Sequence, residues 1–139
     1  MKTLSPEDNP LVLVVDDDPM VRLIACEILG LAGFRTEMAR NGNEALAVIP
    51  SLKPDVILLD FSMPGGDGIA ICGAIRRAGF RIPVVMLTGI IDEDTIQRAL
   101  DTGAMDCIQK PPEWMSLGDR LRFILRADRA AEGTLFETP

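Results

Sequence analysis

The segment from Pro54 to Gly68 decides the fold of the chain, and it reads Pro-Asp-Val-Ile-Leu-Leu-Asp-Phe-Ser-Met-Pro-Gly-Gly-Asp-Gly. Its apolar run, Val56 to Leu59, is short and uninterrupted, which is typical of a central strand that is buried on both faces. The run stops at Asp60, directly before a turn rich in proline and glycine. The sequence therefore predicts a buried strand that carries one carboxylate at its carboxyl end.

Short apolar runs alternate with amphipathic segments along the whole chain. The predicted strands are Leu11 to Val15, about Phe34 to Ala39, Asp55 to Leu59, Pro83 to Leu87 and Met105 to Ile108. The predicted helices run from an Asp18 cap to Gly33, from about Asn43 to a stop at Pro50, from an Asp67 cap to Gly79, from Asp92 or Asp94 through Leu100, and from Trp114 to about Ala131. The second strand has charged alternate positions and is predicted to lie at an edge. This alternation predicts a doubly wound α/β fold with a parallel sheet.

Length and composition indicate one globular domain. The chain has 139 residues, of which 47% are hydrophobic, and we expect a flexible lead-in at residues 1–10, one folded domain at 11–131, and a tail or start of a linker at 132–139. A formal charge of −7 argues against direct binding of nucleic acid. The absence of a long apolar run or a signal-peptide pattern predicts a cytoplasmic protein that does not contact a membrane.

The three cysteines and the absence of histidine exclude several classes of site. Cys26, Cys72 and Cys107 are far apart and have no CxxC spacing. Neither a disulfide framework nor a zinc site is therefore expected, and small buried thiols are the simpler interpretation.

Polar side chains follow four of the predicted strands, at the point where each strand ends. They are Asp16 and Asp17 after the first strand, Asp60 after the third, Thr88 after the fourth and Lys110 after the fifth. Ligands of open parallel sheets bind outside the carboxyl ends of the strands, so we expect these side chains to meet there. Three close carboxylates repel one another unless a cation joins them, and hard oxygen ligands suit Mg²⁺ or Mn²⁺.

Such a site suits phosphoryl transfer. Mg²⁺ uses one or two protein carboxylates and leaves positions open for phosphate oxygens. Asp60 is then the candidate nucleophile. Lys110 supplies a positive charge for a phosphoryl oxygen, and Thr88 supplies a small hydroxyl donor.

At these residues the chain resembles the receiver domain of two-component response regulators. The resemblance covers residues 11 to about 130, and its motifs are Val-Val-Asp16-Asp17, the segment Pro54 to Gly68 around Asp60, Leu87-Thr88-Gly89 and Lys110-Pro111. It implies a flavodoxin-like five-stranded sheet in the order 2-1-3-4-5 with five helices. It also implies a signalling switch that is not an enzyme, apart from its own phosphorylation and dephosphorylation.

The resemblance implies a role for each matching residue. Asp60 accepts a phosphoryl group from the phosphohistidine of a sensor kinase or a phosphotransfer protein. Asp17, Asp60 and the backbone carbonyl of Ser62 ligate Mg²⁺, while Asp16 acts through a coordinated water. The Lys110–Pro111 peptide bond is expected to be cis.

The resemblance further implies that phosphorylation changes the surface of the fourth helix, fifth strand and last helix, which a partner or a second copy reads. The segment Trp114 to Ala127 resembles, more weakly, the last helix of receivers that precede cyclic-di-GMP-related output domains. An output domain of that kind is therefore a further expectation.

Two positions depart from the family pattern. Cys107 stands three residues before Lys110, where the family has an aromatic side chain that rotates inward. We therefore hypothesise that a displacement of Thr88 is transmitted by repacking of the fourth helix against the last strand. Ile90, two residues past Thr88, is apolar where a polar side chain helps to position the hydrolytic water, which predicts slow loss of the phosphoryl group.

Two other classes of function remain open at the sequence level. A Mg²⁺-dependent hydrolase with an aspartyl-phosphate intermediate usually needs a second acid two residues after the nucleophile, but that position is Ser62. A pure interaction module that has lost phosphorylation is disfavoured because every expected site residue is present.

Overall fold

The computed structural model describes residues 9–63, 67–89 and 91–137, with side chains described as far as residue 131. Its elements in chain order are β1 (Leu11–Val15), α1 (Pro19–Leu31), β2 (Arg35–Ala39), α2 (Gly42–Leu52), β3 (Val56–Asp60), α3 (Gly68–Arg77), β4 (Val84–Thr88), α4 (Glu93–Thr102), β5 (Asp106–Gln109) and α5 (Trp114–Glu137). The strands form one parallel sheet in the order β2-β1-β3-β4-β5. The predicted fold class and strand order are confirmed.

The sheet is covered by helices on both faces, because alternate residues of each central strand point to opposite sides. Leu13 and Val15 of β1 pack with the inner sides of α2, α3 and α4, whereas Val12 and Val14 pack with α1 and α5. Every residue of β1, β3 and β4 is buried. These continuous apolar strands are the reason that the central sheet could be predicted from the sequence.

The edge strand β2 is largely exposed, as its charged alternate residues predict. Its first residue, Arg35, donates from its backbone nitrogen to the Pro10 carbonyl and from Nε to the Asn9 carbonyl. Residues 9 and 10 of the predicted lead-in are therefore tied to the sheet, and the rest of that segment lies outside the described residues.

Aspartates cap three of the helices as predicted. Asp18 accepts a hydrogen bond from the Met20 nitrogen, Asp67 accepts one from the Ala70 nitrogen, and Asp92 accepts one from the Thr95 nitrogen. Of the two candidates for the cap of α4, the structure selects Asp92. Each cap satisfies a helix nitrogen that has no partner within the helix.

Two predicted helix ends are wrong. Pro50 lies inside α2, which continues to Leu52, since proline removes only one helical hydrogen bond and Leu52 packs against the core. α5 continues to Glu137 rather than ending near Ala131. Residues 132–137 contain no proline, and the one glycine, Gly133, costs only about 1 kcal/mol in a helix that is already formed.

None of the helices in the described part of the chain combines the length and the apolar character that crossing a membrane requires.

Candidate functional site

The carboxyl ends of four strands meet at one edge of the sheet and bring the predicted polar residues to it. Val15 of β1 lies beside Leu59 of β3, so the next residue of each strand, Asp16 and Asp60, follow at the same level. On the other side of β3, Asp60 lies beside Leu87 of β4. The β4–β5 register pairs Thr88 with Gln109, which places Lys110 one residue further along.

Three carboxylates form an acidic cluster at this edge. Asp16, Asp17 and Asp60 each offer an oxygen, and these oxygens lie within 4.8 Å of one another. Asp16 is 1% and Asp60 4% exposed, whereas Asp17 is exposed. Burial, and then the charge of Asp16, raise the pKa of Asp60, although Lys110 and the Ser62 nitrogen act in the opposite direction. The cluster therefore carries negative charge that the protein compensates only in part.

Lys110 joins the two buried carboxylates. Its Nζ lies 3.0 Å from Asp16 Oδ2 and 3.4 Å from Asp60 Oδ1. Burial lowers the pKa of Lys110, but the hydrogen bond to Asp16 and the charges of both aspartates outweigh it, so the net pKa is raised. The Lys110–Pro111 bond is cis, as the family resemblance predicts. The Lys110 backbone nitrogen donates to the Thr88 carbonyl at 2.8 Å, which fixes the lysine relative to the end of β4.

Both the backbone and the side chain of Asp16 take part in hydrogen bonds that hold it in place. Its nitrogen donates to the Ala39 carbonyl at 3.2 Å, and its Oδ1 accepts from the Asp18 nitrogen at 2.9 Å. Its carbonyl oxygen accepts from a guanidinium nitrogen of Arg22 at 2.8 Å. Arg22 was not among the predicted site residues, because no capping or strand-end pattern signals a side chain that bonds to a backbone carbonyl in the preceding loop.

Gly68 allows close packing behind Asp60, a role that the composition of the turn did not predict. A Cβ atom at Gly68 would lie 2.9 Å from the Asp60 carbonyl oxygen and 2.9 Å from Phe61 Cα, both of which are backbone atoms. The Gly68 nitrogen donates to the Phe61 carbonyl at 2.7 Å. Only glycine fits there without moving the backbone that carries Asp60.

The donor set fits a hard divalent cation. Carboxylate oxygens are the ligands that Mg²⁺ prefers, and Asp17 and Asp60 are near enough to share one ion. Asp16 is less available, because both of its carboxylate oxygens already accept hydrogen bonds. Burial is the main reason that the pKa of Asp60 is raised and the charge of Asp16 is the second, and a divalent cation between the carboxylates would offset both effects.

Two of the remaining predicted residues, Thr88 and Ser62, lie beside this cluster. Thr88 is 2% exposed at the end of β4. The Ser62 nitrogen lies 3.4 Å from Asp60 Oδ1, and Ser62 itself is exposed. Cys107 is half-buried on β5 and packs against the core beneath α2, α3 and α4. Ile90 and residues 64–66 of the Asp60 motif lie outside the described residues.

The chain matches a known family over most of its length. The family model described as "Response regulator receiver domain" matches residues 12–122. The DNA-binding response regulator MtrA of Mycolicibacterium smegmatis is 38% identical over 115 residues, which cover 83% of this chain and 50% of MtrA. The chain thus spans about half the length of the curated relatives it matches.

Solved structures share the fold over nearly their whole length. The receiver domain of the Francisella response regulator 1452 has a TM-score of 0.81 and 30% identity, and the match covers 86% of this chain and 99% of that domain. The chemotaxis protein CheY4 of Vibrio cholerae has a TM-score of 0.79 and 31% identity, with 84% and 98% covered.

Proposed function

The chain belongs to the response regulator receiver domain family, whose members are phosphorylation-dependent switches of two-component signalling, and we propose that Asp60 is the residue that is phosphorylated in it. The single observation that supports this choice is the position of Asp60: a buried carboxylate that touches Lys110 and shares an acidic cluster with Asp16 and Asp17. Asp16 has the same two kinds of neighbour, but both of its carboxylate oxygens already accept hydrogen bonds, whereas the Lys110 and Ser62 contacts of Asp60 are both made to Oδ1.

The proposed reaction is an in-line transfer from a phosphohistidine. A carboxylate oxygen of Asp60 attacks phosphorus, the bond between phosphorus and the histidine nitrogen breaks, and the imidazole retains the electron pair. The Lys110 and Ser62 contacts are both made to Oδ1 of Asp60. Among the described residues no donor contacts Oδ2, and we therefore assign the attack to Oδ2.

Lys110 and Thr88 stabilise the transferred group. Because Lys110 Nζ already lies at Asp60 Oδ1, a small rotation brings it to a phosphoryl oxygen. Thr88 is the last residue of β4, next to the residue that pairs with Asp60, and offers a hydroxyl donor on the same edge of the sheet. Positive charge and hydroxyl donors that are already in place reduce the cost of gathering negative charge in the transition state.

We assign the metal site to Asp17, Asp60 and the Ser62 carbonyl, with Asp16 acting through a water. The exposure of Asp17 and the hydrogen bonds that already occupy Asp16 support this division. A bound Mg²⁺ or Mn²⁺ neutralises the negative charge shared by the carboxylates and the phosphoryl oxygens.

The readout surface in this proposal is formed by α4, β5 and α5, and either a partner or a second copy of the chain binds it. Lys110 and Thr88 link the phosphorylation site to this surface through the β4–β5 backbone hydrogen bond. Because Cys107 is small and lies against the core, we propose that the change travels through repacking of α4 against β5 rather than through a rotating side chain.

We also propose which partner supplies the phosphoryl group and where the receiver unit begins and ends. A sensor histidine kinase or phosphotransfer protein supplies the phosphoryl group in the cytoplasm, and residues 11–131 form the receiver unit, with residues after 131 leading towards an output. A cyclic-di-GMP-related output stays a prediction from the last helix, and the relative MtrA is described instead as DNA-binding.

Incubation with a small-molecule phosphodonor and Mg²⁺, followed by intact mass measurement, tests this proposal. We expect one stable phosphoryl group on the wild type and none on Asp60→Asn. The control is Asp101→Asn, which replaces an exposed acid on α4 and should be phosphorylated like the wild type. Continuous release of phosphate would support the hydrolase alternative, and no adduct from either a small phosphodonor or a kinase would support the interaction module. Slow dephosphorylation relative to Ile90→Glu would support the prediction made for Ile90.

A further inference from the structure

The β1–α1 loop holds the backbone on both sides of Asp17. The carbonyl of the peptide group before Asp17 belongs to Asp16 and accepts a hydrogen bond from Arg22 at 2.8 Å. The nitrogen of the peptide group after it belongs to Asp18 and donates to Asp16 Oδ1 at 2.9 Å. Because both flanking peptide planes are held, the direction in which the Asp17 side chain leaves the backbone is fixed as well.

The position of Arg22 carries an electrostatic cost of its own. It is the fourth residue of α1, and a positive charge near a helix N-terminus is unfavourable because it opposes the helix dipole. Arg22 is half-buried, and its backbone nitrogen also donates to the Asp18 carbonyl at 3.1 Å. Side chain and backbone of one residue thus bind both ends of the acidic loop.

We propose that Arg22 is a positioning residue for the metal site: by holding the Asp16 carbonyl, it aims the Asp17 carboxylate at a divalent cation shared with Asp60. This inference rests on the proposed function, because it assumes that Asp17 and Asp60 share a cation. Arg22 itself does not touch the ion or the phosphoryl group, and it acts through the Asp16–Asp17 peptide group.

Replacement of Arg22 should change the affinity for Mg²⁺ in opposite directions, depending on whether Arg22 acts through its charge or by positioning Asp17. A cation near three carboxylates weakens the local attraction for Mg²⁺, so loss of the charge alone would tighten Mg²⁺ binding. Loss of the Asp16 carbonyl contact would instead leave Asp17 free to sample other directions and would weaken binding. Residues that orient metal ligands typically change metal affinity by about tenfold or more when they are replaced.

The test is a Mg²⁺ titration in which the melting temperature of the full chain is measured at each Mg²⁺ concentration. NaCl is added to keep the ionic strength constant. We expect the apparent dissociation constant for Mg²⁺ to rise about tenfold in Arg22→Met and to return close to the wild-type value in Arg22→Lys, which retains a donor. Arg35→Met is the matched control, since Arg35 also donates to a backbone carbonyl but does so beside Asn9. It should leave Mg²⁺ affinity unchanged.

A second readout separates positioning from general stability. In phosphorylation by a small phosphodonor, Arg22→Met should need about tenfold more Mg²⁺ for half of its maximal rate and should approach the wild-type rate at saturation. If Arg22→Met does not unfold cooperatively, Arg22→Gln replaces it, because glutamine is uncharged and too short to keep the contact.

Mg²⁺ binding to Arg22→Met that is equal to or tighter than wild type, whatever its thermal stability, would overturn the role of Arg22 and leave the proposed function intact. If wild-type protein shows no Mg²⁺-dependent stabilisation and no phosphorylation, the proposed function fails, and the role of Arg22 fails with it.

Discussion

Lys110 Nζ lies 3.0 Å from Asp16 Oδ2, although the two residues are 94 positions apart in the chain. The contact joins the loop after β5 to the loop after β1 across the intervening strands β3 and β4. It also compensates one of the two buried carboxylates, of which Asp16 is the less exposed. The ammonium group of Lys110 therefore connects the loop after β5 to the loop after β1 at the site.

Replacement of Lys110 by methionine should destabilise the metal-free protein. Without the ammonium, Asp16 and Asp60 remain buried with less compensation, and the expected loss in the free energy of unfolding is about 1–3 kcal/mol. The loss should shrink in saturating Mg²⁺, because a bound cation replaces part of the missing charge. Urea denaturation with and without Mg²⁺ measures both values. Lys53→Met, at an exposed lysine after α2, is the control, and an equal loss in that variant would contradict the explanation.

Replacement of Asp60 by asparagine should stabilise the metal-free protein at neutral pH. The pKa of Asp60 is raised from 3.8, first by burial and then by Asp16, so ionisation of Asp60 costs folding free energy. The cost is absent below pH 3.8, grows as pH rises through the folded-state pKa and is complete above it. Asp60→Asn removes it, and its melting temperature should exceed that of wild type by a few degrees at pH 7.

The decisive measurement is how the difference in melting temperature between Asp60→Asn and wild type depends on pH. Thermal melts of both proteins without Mg²⁺ should converge as pH falls towards 4 and diverge as it rises. A difference in melting temperature that does not change with pH would mean that the effect of the substitution is steric rather than electrostatic.

Much of the fold and of the site could be predicted because both depend on local sequence. β1, β3 and β4 are continuous apolar runs, and the polar residue after each run lies at the same sheet edge in any parallel arrangement. The helix end at Pro50 could not be predicted in this way, since the packing of Leu52 against the core decides it. Arg22 and Gly68 were also missed, because their roles depend on backbone atoms that folding brings close to them.

Cys107→Ala should leave the response to phosphorylation largely intact. Cys107 is half-buried against the core, and alanine removes one sulfur atom without adding bulk, so the expected loss of stability is about 1 kcal/mol. If α4 repacks against β5, the amide resonances of residues 91–110 should shift on phosphorylation to the same extent in both proteins. Two-dimensional NMR of the phosphorylated and unphosphorylated forms provides the comparison. Loss of the α4 shifts in the variant would show that the Cys107 side chain itself transmits the signal.

Two glycine-to-alanine substitutions in helices should have opposite effects on stability. At Gly30 in α1 a new Cβ meets no atom within 4 Å, and alanine should stabilise the helix by about 0.5–1 kcal/mol. At Gly68 the Cβ would lie 2.9 Å from the Asp60 carbonyl oxygen, so the backbone must move, at a cost of about 1–3 kcal/mol. That movement displaces Asp60, and Gly68→Ala should therefore be phosphorylated more slowly than wild type at saturating Mg²⁺, whereas Gly30→Ala should match it. Urea denaturation measures the stability of the two variants, and intact mass time courses measure their phosphorylation rates. A normal phosphorylation rate in a destabilised Gly68→Ala would show that the packing at Gly68 does not determine the position of Asp60.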